Sequence, residues 1–177
     1  MKKILIIGCN CEIGKSFIKK LSKNNLIYGT YNSSKPEKKN KKIKYFKLNL
    51  LKPILHEKKF DVLIYLASLT PKKKYSLSDY MKINYHGMKK ILEQLDKKHL
   101  KKVVLTSTTN IYGFKKNGQI NESYISPELS FYAKSKYKME NYLSNFSKKN
   151  IINYYIFRIP GIVGGKYNNN FIINLIK

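Results

Sequence analysis

Residues 131–137 read FYAKSKY and place Tyr132 four positions before Lys136. On a helix that spacing sets both side chains on one face, so the ammonium can lie near the phenol. A neighbouring cation favours phenolate and lowers a tyrosine pKa from its usual value of about 10. Tyr132 is then a candidate general acid/base for interconverting a carbinol and a carbonyl. The stretch KVVLTSTTNIYG at 102–113 reads as a strand ending in a cluster of hydroxyls, where Thr108 could hold a substrate hydroxyl while Tyr132 moves its proton. Alone, a Tyr-x3-Lys pair in a chain this rich in both residues reads more simply as an exposed helix pair.

A third stretch, ILIIGCNCEIGKSFI at 4–18, admits three chemistries. A triphosphate-binding loop needs four residues between its glycines, yet five separate Gly8 from Gly14, and Cys9 stands where the first glycine should be. Asp61 begins its apolar run rather than ending it, which leaves no convincing magnesium carboxylate. Cys9 and Cys11 have no second cysteine pair, and the three histidines are scattered, so no metal site is expected and the thiols read as small residues filling a tight turn. The spacing Gly8-x2-Cys11-x2-Gly14 fits Gly-x2-Gly-x2-Gly with the middle glycine replaced. Gly8 would make the turn, Gly14 would let a helix pack close to the strand, and the helix N-terminus would face a pyrophosphate.

These pieces need elements to position them. Strand-length apolar runs occur at 4–8, 26–31, 43–48, 61–67, 102–107 and 154–159, nearly continuous and rich in β-branched and aromatic residues. Such runs suit strands buried on both faces of a parallel sheet. Helices are expected at 14–24, 78–98 and 131–149, with Tyr80, Ile83, Gly87, Ile91 and Leu95 at helical spacing in the second. The segments 33–42 and 72–76 read as loops, and the final stretch from residue 164 starts a new element. Strand–helix alternation predicts an α/β fold: a doubly wound, Rossmann-like sheet of about six parallel strands with helices on both faces. Ligands in such sheets sit beyond the carboxyl ends of the strands, where strand order reverses.

A chain of 177 residues with 42% hydrophobic content supports one domain. The start MKKILIIG imitates a signal peptide, but its apolar run is too short and Glu12 and Lys15 follow at once, so a cytoplasmic protein is expected. No run approaches the roughly 20 apolar residues of a membrane span. The formal charge of +26 rests on 36 Lys+Arg against 10 Asp+Glu, with Arg158 the sole arginine. Nucleic-acid surfaces favour arginine forks, whereas here lysine is spread everywhere beside abundant Asn, Ile and Tyr. The pattern reads as compositional drift rather than a specific nucleic-acid site, leaving weak, salt-sensitive attraction to polyanions.

Taken in order, GCNCEIG, DVLIYLASLT, KINYHGMKKIL, TSTTNIYG, FYAKSKYKME and FRIPGIVGG resemble the extended short-chain dehydrogenases/reductases, the NAD-dependent epimerase/dehydratase proteins. The resemblance spans nearly the whole chain. It implies a nicotinamide-dependent oxidoreductase acting on a nucleotide-linked sugar, with Tyr132 as catalytic base, Lys136 as its partner and ribose ligand, and Thr108 holding the reacting hydroxyl. It also implies cofactor contacts at Gly8, Cys11, Glu12, Ile13 and Gly14, at Asn32 and Ser33, at Asn49 and Leu50 near adenine, at Leu66, Ala67 and Ser68, and at Asn84 on the helix behind the cofactor. The chain departs from the family at Ile7, Cys11 and Gly161. Its second strand ends GTYNSSKP without the usual ribose-binding acid; Ser33, Ser34 and Lys35 suit a 2′-phosphate, which tilts the expectation from NAD towards NADP. By the same resemblance, 1–177 is the cofactor-binding domain with the substrate-binding domain largely absent, no membrane partner is expected, and dimerisation would run through 78–98 and 131–149. The alternative is a non-catalytic dinucleotide-binding fragment, or one piece of a split enzyme.

Overall fold

The computed structural model describes residues 1–36, 41–113 and 118–161. Residues 37–40 of the expected 33–42 loop, and the expected new element from residue 164, lie outside the described residues. The six apolar runs form β1 (Lys3–Ile7), β2 (Leu26–Tyr31), β3 (Ile43–Lys47), β4 (Val62–Tyr65), β5 (Lys102–Thr108) and β6 (Asn153–Ile159). All pairings are parallel, in the order β3-β2-β1-β4-β5-β6. Asp61 falls just outside β4. Its carboxylate accepts the Lys3 amide at 2.7 Å, so it pins the start of β1 rather than extending the ladder.

Alternation along each strand sends successive side chains to opposite faces, and each face has its own core. On one, Ile4, Ile6, Ile27, Ile43 and Ile64 pack with Phe17, Ile18 and Leu21 of α1 (Glu12–Leu21). On the other, Leu5, Ile7, Leu63, Val103 and Leu105 meet Met88, Ile91 and Leu92 of α3 (Gly87–Gln94) and Met139 and Leu143 of α4 (Phe131–Asn150). Helices therefore cover both faces.

The helix expected at 78–98 is not one regular helix. Ser76 opens it with a reciprocal capping box to Asp79, a single turn α2 (Leu77–Tyr80) follows, and Met81–His86 then form a wide π-turn before α3. Strict helical spacing predicted Tyr80, Ile83, Gly87 and Ile91 on one stripe. Asn84, within the wide turn, lies on the same stripe and is fully buried, while Ile83 stands at the edge of a crevice. α3 ends at Gln94, whose amide caps neighbouring backbone by accepting the Leu55 N–H and donating to the Pro53 carbonyl.

Strand order reverses at β1, which leaves towards β2 through α1, while the chain returning from β3 crosses the opposite face to β4. The amides of Leu66 and Ala67 both reach the Ile7 carbonyl, at 3.0 and 3.1 Å, where β1 and β4 begin to part. A crevice of about 1530 Å³ opens there along the carboxyl edge.

Candidate active site at the carboxyl edge

Gly8 turns the chain out of β1 with φ at +83°, a conformation that side-chain-bearing residues rarely hold. Its amide donates to the Thr30 hydroxyl at 3.0 Å, and a Cβ there would lie 2.9 Å from the Ala67 backbone. Gly14 lets α1 approach so closely that a Cβ would stand 2.6 Å from the Cys9 carbonyl. Between them Cys11 is the N-cap of α1, its sulfur accepting the Gly14 amide at 3.3 Å. The thiol thus replaces a cap oxygen at the helix end that faces the crevice. Cys9 is buried away from it, and burial pushes its thiol up to about 11.

The sugar-side chemistry expected of Thr108, Tyr132 and Lys136 comes to one place: all three line the crevice. Thr108 ends β5, and its hydroxyl caps the short helical turn Thr109–Tyr112 by accepting the Asn110 amide at 3.2 Å. Tyr132 and Lys136 occupy the first two turns of α4, which Ser130 caps. The phenol ring meets the edge of the Tyr80 ring, centroids 5.9 Å apart.

Their electrostatics differ from the sequence expectation. Burial raises the Tyr132 pKa, with Ser68 hydrogen bonding opposing the rise and the Tyr80 phenol adding to it. Lys136 does not lower it, because its ammonium is directed elsewhere: Nζ donates to the Thr106 carbonyl at 2.6 Å. Burial of that ammonium, only partly offset by the negative charge of Glu140, lowers the Lys136 pKa to about 8.

Of the residues assigned to a cofactor, Gly8, Cys11, Ile13, Asn32, Ser33, Asn49, Leu50, Leu66, Ala67 and Ser68 also line the crevice. Glu12, Gly14 and Asn84 do not. Glu12 pairs with Lys15 on the surface of α1, at 2.7 Å. Gly14 lies beneath the turn. Asn84 is a buried bridge: its oxygen accepts the Leu69 amide at 2.7 Å, and its nitrogen donates to the Ser135 hydroxyl at 3.0 Å. Ser135 in turn donates to the Tyr132 carbonyl at 2.7 Å, so Asn84 couples the lip after β4 to the helix carrying Tyr132.

Sequence reasoning missed Asn10, Thr30, Thr106 and Asn110 in the lining, and Tyr80 behind Tyr132. Thr106 belongs to the same hydroxyl-rich strand end as Thr108, and Asn110 to the turn that follows it. Thr30 carried no local signal, since its role comes from the pairing of β1 with β2.

The sequence model of the NAD dependent epimerase/dehydratase family matches residues 4–177. The chain belongs to this family. Within it, the chain is similar to the N-acetyl-alpha-D-glucosaminyl-diphospho-ditrans,octacis-undecaprenol 4-epimerase of Escherichia coli O157:H7, 26% identical over 119 residues, 67% of this chain and 36% of that protein. In structure it is similar to a UDP-N-acetylglucosamine 4-epimerase from Methanobrevibacter ruminantium M1 solved with UDP-N-acetylmuramic acid: TM-score 0.82, 23% identity, 96% of this chain and 58% of that one. A UDP-glucuronic acid 4-epimerase from Bacillus cereus in complex with NAD superposes with TM-score 0.75 and 22% identity over 92% of this chain and 57% of that one. The epimerase/dehydratase chain therefore spans little more than half of its structural neighbours and about a third of its curated relative.

Proposed function

We propose that the crevice binds a nicotinamide dinucleotide and that the chain carries the redox half of a nucleotide-sugar epimerase. The observation that carries this is the convergence of the Gly8 turn, Thr108, Tyr132 and Lys136 on one crevice at the strand-order reversal. The residues suit such a cofactor. A glycine turn that no Cβ would fit and the N-terminus of α1 meet where a pyrophosphate would lie. Asn32, Ser33 and Asn49 offer polar groups at one end, and Ser68, Tyr132 and Lys136 at the other. When bound, the nicotinamide supplies the hydride acceptor and donor.

The chain's own residues handle the proton. Thr108 orients the reacting sugar hydroxyl and Tyr132 takes its proton as the carbonyl forms, then returns it on reduction. Burial favours the protonated phenol, so its turn as base depends on Lys136 moving from the Thr106 carbonyl towards it. Loss of water from the sugar would require a further acid and base, and no carboxylate or imidazole lines the crevice among the described residues. Removal and return of hydride at one carbon, as in an epimerase or a reductase, is the chemistry these groups can perform. Ser33 in the lining, with Ser34 and Lys35 following it and no acid at the end of β2, favours NADP over NAD. Self-association through α3 and α4 belongs to the same proposal.

The test is titration with NADH and NADPH followed by nicotinamide fluorescence, which has no tryptophan background in this chain. Saturable binding is expected, with Y132F binding normally but failing to oxidise a UDP-sugar. No saturation at millimolar concentration would defeat the proposal. A second reading, binding without turnover, takes its motive from Cys11, whose side chain caps α1 where the family's middle glycine would stand. Saturable cofactor binding with no conversion of UDP-N-acetylglucosamine by the wild-type chain would select it.

A further inference from the structure

Among 36 basic residues the chain has a single arginine, in β6. A lysine offers a point charge, whereas a guanidinium offers a planar fork. Arg158 uses the whole fork. Its Nε lies 3.1 and 3.2 Å from the two Glu140 oxygens, Nη2 lies 2.7 Å from Oε2, and Nη1 donates to the Glu122 carbonyl at 2.8 Å. The guanidinium also lies over the Tyr112 ring, 5.0 Å from its centroid. One side chain, 12% exposed, thereby fastens together β6, α4 and the segment that follows Thr108.

Glu140, 6% exposed, stands one turn beyond Lys136 on α4. Around Lys136, β5 presents the Thr106 carbonyl, α4 presents Tyr132 one turn earlier and Glu140 one turn later, and β6 acts through Arg158 on Glu140. Glu140 is the carboxylate whose charge supports the ammonium against its burial. Lys136 is also the one charged side chain among the described residues that line the crevice.

We propose that Arg158 is a positioning residue, gripping Glu140 at two points so that a fixed counter-charge stands beside the Lys136 ammonium. The proposal rests on the dinucleotide reading above, in which the ammonium meets the cofactor ribose and the Tyr132 phenol. A flexible lysine at 158 would preserve the charge and lose the grip, which accounts for a lone arginine in a chain otherwise given over to lysine.

Binding of NADPH and of NADH to the full chain, measured by fluorescence from pH 6.5 to 9.5, tests it. In the wild type, affinity falls as pH rises through about 8, where Lys136 loses its proton. Glu140→Gln moves that fall to lower pH, by about half a unit or more. Because Gln leaves a guanidinium unpaired and can unfold the chain, E140Q/R158M removes both charges and must displace the fall in the same direction by a smaller amount, since a cation is lost as well, with circular dichroism recording the fold. Arg158→Lys must also move the fall to lower pH despite its retained charge, weakening binding at pH 7.5 by up to about 1.5-fold for half a unit. A fall at unchanged pH in E140Q and in the double variant, or full rescue by R158K, overturns the proposal while wild-type binding stands. Absence of saturable wild-type binding instead defeats the dinucleotide reading itself.

Discussion

Lys136, proposed above for binding, is buried at the expense of stability. The unfolded chain holds its proton up to about 10.5, the native state only up to about 8. Between those values the unfolded state binds more protons, so this group's contribution to stability rises with pH across the window. Below it, both states are protonated and the buried ammonium costs as much as about 3 kcal/mol, part of it offset by the bond to Thr106. Lys136→Met is therefore expected to raise stability at neutral pH by about 2 kcal/mol. The gain should fade between pH 8 and 10.5, as thermal melts at pH 7 and pH 10 would show. A melt unchanged or lowered at pH 7 would mean that the Thr106 bond outweighs burial. The Tyr132–Lys136 pair was legible from its spacing. The electrostatics were not, because the direction in which Nζ points depends on the Thr106 carbonyl, thirty positions away in sequence.

At the scale of elements, Asn84 joins the lip after β4 to α4 through a wholly buried amide. Asn84→Ala leaves the Leu69 amide and the Ser135 hydroxyl without their partner and opens a cavity. A loss of about 2–3 kcal/mol is expected by denaturant titration, together with weakened cofactor binding. A loss below about 0.5 kcal/mol would mean that the bridge is dispensable. The six strands were legible because both faces of a parallel sheet demand apolar side chains, and each run stands within two residues of its strand boundaries. The wide turn at Met81–His86 was not, since Tyr80, Ile83, Gly87 and Ile91 fit a regular helix equally well. Asn84 meets Ser135 and Tyr80 meets Tyr132, both on α4. Arg158 was visible in the sequence as a lone arginine, but its partners Glu140, Glu122 and Tyr112 meet only in the folded chain.

Over the whole molecule, lysines lie at both edges of the sheet. Lys35 and Lys72–Lys74 follow strand ends, while Lys23, Lys97, Lys98 and Lys101 precede strand starts. The spread of lysine along the sequence reads as drift rather than as selection for nucleic acid, and salt dependence tests that reading. Among the described residues no helix is long and apolar enough to cross a membrane. Labelled oligonucleotide should bind at 50 mM salt and be lost by about 200 mM in fluorescence anisotropy, whereas dinucleotide binding should persist. Retention of one oligonucleotide sequence at the higher salt would reverse that assignment. The parallel sheet has a practical corollary. Every strand starts at the edge opposite the crevice, and Met1, 86% exposed, sits at that edge just before β1. A label or solid support attached through the first residue stands roughly 17 Å behind the crevice, the length of β1, leaving the mouth free to sample whatever small molecule flows past.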